Sequence, residues 1–134
     1  EEEHIAVDYL RAHTDACLVA VCDATCPTAN DLRAKAIIVV TKSGQTAQRM
    51  SKFHPRQIIV AATPVEKTMH QLALSWGVIP AMCEMYESAD VLFYTAKHRA
   101  REIMGLKSGD KIVITGGLVN GRTGNTNMLK IETI

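Results

Sequence analysis

Six consecutive residues in this chain combine types that bind anions: Thr41, Lys42, Ser43, Gly44, Gln45 and Thr46. Lys42 brings a full positive charge. Thr41, Ser43 and Thr46 bring hydroxyls, and Gly44 lets the backbone turn. Just before them stands Ala36-Ile37-Ile38-Val39-Val40, a continuous and mostly β-branched apolar run. Such a run suits a strand buried on both faces. Just after them, Ala47, Met50 and Phe53 recur among Gln48, Arg49 and Lys52 with helical spacing, up to Pro55. A strand that hands over to a helix within these few residues leaves free backbone N–H groups at the helix start. The helix dipole adds positive potential there. The chemistry expected is capture of an anion, most naturally a phosphate. The G-x-x-x-x-G-K-[ST] pattern is absent, so nucleoside-triphosphate chemistry does not follow. A plain tight turn capped by Ser43 would use the same residues, and chemistry alone leaves the two readings level.

The elements that must hold this loop follow from the rest of the chain. Its 134 residues are the size of one domain, and 47% are apolar, enough for a core. Fifteen basic and fourteen acidic residues leave no broad charge imbalance, which argues against a large nucleic-acid or membrane footprint. No apolar run is long enough to span a bilayer, and the acidic start Glu1-Glu2-Glu3-His4 lacks a signal-peptide pattern. Cys17, Cys22, Cys26 and Cys83 form no C-x-x-C pair. They read as small core residues of a reduced compartment rather than zinc ligands.

Residues 1–14 read as an arm or linker, and residues 15–134 as the domain. Asp15 to Cys26 is apolar nearly all round as a helix, which implies burial against something large. Pro27 should interrupt it, with Thr28 capping a second short helix. Gln57–Thr63 is a second buried strand. Thr63, Pro64 and Glu66 fit the cap, first and third positions of a helix running through Met69, Leu72, Ala73 and Trp76 until Gly77. Val78–Met82 is a short strand whose Pro80 suggests an edge or a bulge. A long helix from Ser88 or Asp90 carries Leu92, Phe93, Ala96, Ala100, Ile103 and Met104. Asp110–Thr115 and Asn127–Ile134 are two further strands, separated by a glycine-rich loop, Gly116 to Gly124. Strand and helix alternate, so the class is α/β with a largely parallel sheet. Ligands of such sheets sit at the carboxyl ends of strands. The 41–46 segment, Thr63-Pro64 and the 116–124 loop all lie at such ends.

No constellation for catalysis stands out. The five histidines are scattered; His54 and His70 have no partner at catalytic spacing and read as surface or structural residues. From the residues, then, this is a ligand-binding or assembly domain with a phosphate-type pocket.

Several motifs in sequence order resemble the C-terminal domain of pyruvate kinase. They are Ala34 to Ala47, Met50 to Arg56, Ile58 to Pro64 with Glu66-Lys67, Gln71 to Pro80, Ser108 to Gly117, and Gly124-Asn125-Thr126-Asn127. The resemblance runs from about Asp15 to Ile134 and is closer to bacterial-type enzymes than to animal ones. It implies a three-layer α/β/α fold with a five-stranded mixed, mostly parallel sheet whose last strand runs against the others. It implies a cytoplasmic parent enzyme of glycolysis that moves a phosphoryl group from phosphoenolpyruvate to ADP with magnesium and potassium. Those catalytic and metal-binding residues lie in the family's barrel domain, which this chain does not match, so no catalytic residue, metal ligand or cofactor is expected here. By the resemblance, Thr41, Lys42, Ser43, Gly44, Gln45 and Thr46 cradle an effector phosphate. Gly117, Arg122, Thr123 and Gly124 belong to the loop that closes over it.

The implied partners are a phosphorylated small-molecule effector, the catalytic barrel of the parent chain, and further copies in a tetramer; nucleic acid and membrane are not among them. Two departures from the family stand out. The Arg that helps fructose-bisphosphate-activated relatives hold a second phosphate has no counterpart at Asp90-Val91-Leu92-Phe93. A one-phosphate effector, a sugar monophosphate or AMP, therefore fits at least as well, with Arg122 as a substitute cation. The Cys22–Pro27 stretch is also longer than usual. The alternative reading is an assembly or dimerisation module whose phosphate loop is vestigial.

Overall fold

The computed structural model describes residues 14–84, 88–117 and 126–134, with side chains left out for 14–20, Ala89, Gly117, Thr126 and Asn127. The expected arm therefore lies outside the described residues, except for its last residue, Thr14, which opens the first helix. So does most of the glycine-rich loop, including Arg122, Thr123 and Gly124.

Among the described residues four helices and five strands follow one another: α1 (Thr14–Asp31), β1 (Ala36–Val40), α2 (Gln45–Lys52), β2 (Ile58–Thr63), α3 (Glu66–Leu72), β3 (Val78–Met82), α4 (Ala89–Met104), β4 (Lys111–Gly117) and β5 (Thr126–Thr133). The strands form one sheet in the order β3-β2-β1-β4-β5. The pairs β1–β2, β1–β4 and β2–β3 are parallel; β4–β5 is antiparallel. β3 is an edge strand, where Pro80 costs no ladder bond within the sheet.

Alternation along the strands splits the core in two. Ile37, Val39, Ile59, Ala61 and Val113 face one way and pack with Cys22, Cys26 and Ala29 of α1, Ala47 and Met50 of α2, and Leu72 of α3. Ile38, Val40, Val60, Ala62, Ile112 and Ile114 face the other way, onto Leu92, Phe93, Ala96 and Ala100 of α4. This is a three-layer α/β/α arrangement. Right-handed crossovers explain it: β1 to β2 to β3 moves in one direction and puts its helices on one face, while β3 to β4 reverses and puts α4 on the opposite face.

Several local expectations are corrected. Pro27 does not break α1, which continues through Thr28 to Asp31. Pro27 and Asp23, whose carbonyl loses its amide partner, both lie on the solvent side, while Cys22, Thr25, Cys26 and Ala29 anchor the helix to the sheet. Packing of that face outweighs the local defect. The same pattern shows that the described half of α1 is one-sided, with Asp23, Ala24 and Asn30 exposed.

Thr63 does not cap α3. It ends β2, and its hydroxyl accepts the Val65 N–H at 3.2 Å, so the helix begins later with Val65 as its N-cap. α3 also stops at Leu72. Ala73 and Trp76 lie in tightened turns, where Ser75 N–H donates to Leu72 C=O. α2 stops at Lys52, and Phe53 is its exposed C-cap. Ile131, on the edge strand β5, is exposed.

Candidate functional site

β1 lies between β2 and β4. The chain leaves β1 towards β2 and returns to its other side at β4, so a crevice opens between the carboxyl ends of β1 and β4. Thr41 follows β1 directly. Val39 is in register with Thr115, so Gly116-Gly117 reaches the same level. Thr41–Thr46 and Gly117 thus come to one end of the sheet.

Internal hydrogen bonds brace the loop. Thr41 N–H donates to Ala62 C=O at 2.9 Å, which extends the β1–β2 pairing. The Thr41 hydroxyl oxygen accepts the Gly44 N–H at 2.9 Å. The Thr41 oxygen is thus a buried acceptor that folds the loop back. Gly44, not Ser43, is the N-cap of α2; Ser43 Oγ lies 3.4 Å from the Gln45 N–H, a long contact.

Gly44 has φ +86°, which a side chain would strain, and a Cβ there would stand 3.1 Å from Thr68 Cγ2 and 3.3 Å from Leu72 Cδ2. Thr68 in turn donates its hydroxyl to Lys42 C=O at 3.0 Å. Thr68 does not stand out in the sequence. Its only signal was a hydroxyl two residues into the helix that follows the neighbouring strand.

Lys42 and Gln45 are exposed, Ser43 is half-buried, and Thr46 is buried. Among the described residues the N–H groups of Ser43 and Ala47 make no hydrogen bond. They stand at the positive end of α2, and the exposed Lys42 is close by in the chain. Such an arrangement can hold a compact anion through backbone donors and one cation. On the adjoining strand, Thr115 is fully buried with its hydroxyl unpartnered among the described residues, on the sheet face that α1 and α2 cover. Nothing in the sequence marked it out.

The other expected residues take ordinary roles. His54 stacks on Trp76 with ring centroids 4.4 Å apart, and His70 pairs with Glu66 one turn away on exposed α3. Burial pushes the Cys22 thiol up to about 11 and also raises Cys26 and Cys83. Among the described residues no three His, Cys, Asp or Glu groups converge on a metal position, and no helix is long and apolar enough to cross a membrane.

The sequence profile of the family "Pyruvate kinase, alpha/beta domain" matches residues 19–132. The pyruvate kinase of Clostridium acetobutylicum is 40% identical over 110 residues, covering 82% of this chain and 23% of that protein. The pyruvate kinase of Staphylococcus epidermidis is 43% identical over 107 residues, covering 80% of this chain and 18% of that protein. A pyruvate kinase from Cryptosporidium parvum superposes with a TM-score of 0.74 at 28% identity, over 85% of this chain and 22% of that one. The Cryptosporidium parvum enzyme solved in complex with ADP gives a TM-score of 0.75 at 29% identity. This chain therefore spans less than a quarter of the length of these relatives. With the profile matched over most of its length and the strand order in place, the chain belongs to the pyruvate kinase C-terminal α/β domain family, of bacterial type.

Proposed function

We propose that this domain is the regulatory and assembly part of a cytoplasmic pyruvate kinase, and that residues 41–46 hold one phosphate of a small effector. Ser43 and Thr46 hydroxyls, the Ser43, Gln45 and Ala47 amides and the Lys42 ammonium would be its ligands. Gly117, Arg122, Thr123 and Gly124 would close over the rest of the effector, a sugar monophosphate or AMP. Residues 1–14 would link the domain to the catalytic barrel, which would transfer the phosphoryl group from phosphoenolpyruvate to ADP. Magnesium and potassium would serve that barrel. No step of the transfer is placed on this chain.

The observation that carries the reading is the braced loop at the switch point. The Thr41 and Thr68 hydroxyls fix its shape, and the Ser43 and Ala47 N–H groups stand without partners among the described residues next to the exposed Lys42. Two-state regulation of the parent tetramer would follow only if occupancy favours one quaternary state.

Calorimetric titration with fructose 1,6-bisphosphate, ribose 5-phosphate and AMP in turn tests it. A monophosphate should bind, and Lys42→Ala with Ser43→Ala should abolish the heat signal. A second reading is favoured by the exposed Ile131 on edge strand β5 and Val91 and Tyr94 on α4: an assembly module without a ligand. Silence with all three compounds, together with a tight dimer in sedimentation, would put that reading first.

A further inference from the structure

Two cysteines that lack a C-x-x-C partner in the sequence meet on one helix face. Cys22 and Cys26 stand one turn apart in α1, so their side chains leave the same side of the helix with Cβ atoms about 5–6 Å apart. Both thiols are free, and both are buried, at 1% and 7% exposure, in the core that α1 shares with α2. A disulfide needs Cβ atoms about 3.5–4.5 Å apart, so a regular helix turn holds this pair too wide to form one. The pair has the right width for a bridging ion. At metal–sulfur lengths of about 2.3 Å, two sulfurs on opposite sides of one ion stand roughly 4–5 Å apart.

The surroundings supply an entry path and a counter-charge. A cavity of about 130 Å³ lies between α1 and the later turns of α2, lined by Cys22, Asp23, Arg49, Lys52 and Phe53. Asp23, Arg49, Lys52 and Phe53 are exposed and Cys22 is buried, so the cavity runs from the surface down to a thiol. Cys22 Sγ lies 4.0 Å from the Thr46 carbonyl, which holds the sulfur in place from the α2 side. Arg49 pulls the Cys22 pKa down against burial, while Asp23 and Cys26 push it up. The guanidinium is therefore placed to offset negative charge on sulfur. Among the described residues no third His, Cys, Asp or Glu group joins the two thiols in a metal cluster. Such a donor set does not suit zinc, which takes four ligands, or calcium and magnesium, which take oxygens. Two soft sulfurs in a buried place suit copper(I).

We infer that Cys22 and Cys26 form a two-coordinate binding site for copper(I) between α1 and α2. The ion exchanges for two protons: Cu⁺ and two thiols give a bis-thiolate complex of charge −1 and two H⁺. Copper stays monovalent and neither sulfur is oxidised. Burial keeps both thiols protonated in the free chain, and the ion displaces those protons as it binds. Neither ligand belongs to residues 41–46, so copper binding and phosphate binding are separable.

The test is anaerobic titration of the reduced 134-residue chain with copper(I), supplied as its acetonitrile complex, with bathocuproine disulfonate as the coloured competitor. The expected result is one copper(I) held per chain. Cys22→Ala and Cys26→Ala, each checked for native far-ultraviolet dichroism, should each weaken binding by at least roughly tenfold, since changes beyond the ligands themselves already cost that much. Cys17→Ala and Cys83→Ala should leave the competition curve unchanged. X-ray absorption of the copper-loaded wild-type chain needs no variant. It should show two sulfur neighbours at about 2.2–2.3 Å and no nitrogen or oxygen. Copper(I) held as tightly by Cys22→Ala or Cys26→Ala, or lost in Cys17→Ala or Cys83→Ala, would overturn the pairing. No retention against the competitor, or a third ligand in the absorption spectrum, would overturn the site itself.

Discussion

Replacing Gly44 by alanine should damage this domain in two separable ways. The first is conformational. At φ +86° an L-residue costs about 1–2 kcal/mol, of which the reduced freedom of the unfolded chain returns roughly 0.4–1 kcal/mol. The second is crowding. The new Cβ would meet Thr68 Cγ2 at 3.1 Å and Leu72 Cδ2 at 3.3 Å. Neither neighbour yields readily: Thr68 is tied to Lys42 C=O, and Leu72 is fully buried in the core. Relief of that contact should cost about 1 kcal/mol more, at the low end of overpacking penalties.

Gly77→Ala isolates the first part, since Gly77 has φ +68° and open space around its Cβ position. Urea unfolding should show Gly77→Ala losing roughly 0.5–1 kcal/mol and Gly44→Ala roughly 1.5–2.5 kcal/mol, with unchanged denaturant slopes. Equal losses for the two variants would show that the contacts with Thr68 and Leu72 carry no cost. Losses of less than about 0.3 kcal/mol in both would refute the conformational part as well.

Leu92→Ala should cost about 2–5 kcal/mol in the same assay, because Leu92 is fully buried between α4 and the sheet. Thr115→Val should leave stability unchanged or raise it by up to about 1 kcal/mol, since it removes an unpartnered buried hydroxyl; a clear loss in urea unfolding would mean that the hydroxyl has a partner. Cys22, Cys26 and Cys83 should resist iodoacetamide at neutral pH in the folded chain and react together on unfolding, as mass spectrometry would show; burial raises all three pKa values and keeps the thiols protonated. The hydrogen bond from Lys130 to Glu132 holds the Glu132 pKa below its usual value of 4.5. The folded state therefore binds that proton less readily than the unfolded chain. The contribution is present above about pH 4.5 and is lost as the pH falls through the lower folded value. Glu132→Gln should flatten the acid limb of the stability profile by about 0.5 kcal/mol or less, because Lys130 is exposed and Glu132 only partly buried, so solvent screens the pair.

The sheet was legible because its signals are local. Ile37 to Val40 and Ile59 to Ala62 are continuous apolar runs, as strands buried on both faces must be. Pro80 suggests an edge or a bulge, and β3 is an edge. The misreadings fall where tertiary contacts overrule local chemistry. Pro27 looks like a terminator, but Cys22, Cys26 and Ala29 hold the helix on either side of it. Thr63-Pro64-Val65-Glu66 looks like a helix cap, but the Thr63 hydroxyl is engaged in a turn at the strand end. Leu72, Ala73 and Trp76 keep a helical period although the helix has already ended, because periodicity cannot distinguish a buried leucine from an exposed tryptophan. At the loop, the residue types were readable and their division of labour was not. That Thr41 folds the loop inward and that Thr68 fastens it depend on contacts across 3 and 26 residues of sequence.

The stacked pair at the opposite end of the sheet gives the domain an optical handle. Trp76 is the only tryptophan in the chain, lies nearly parallel to the His54 ring, and has its carbonyl bound by Ser51 Oγ at 2.7 Å. All indole emission therefore originates where the end of α2 meets the turn that leads into β3. Separation of these two segments changes the surroundings of the sole fluorophore even while the rest of the sheet remains intact. A fluorescence transition that precedes loss of the far-ultraviolet dichroism signal would report the opening of this corner, and coincident transitions would report cooperative unfolding.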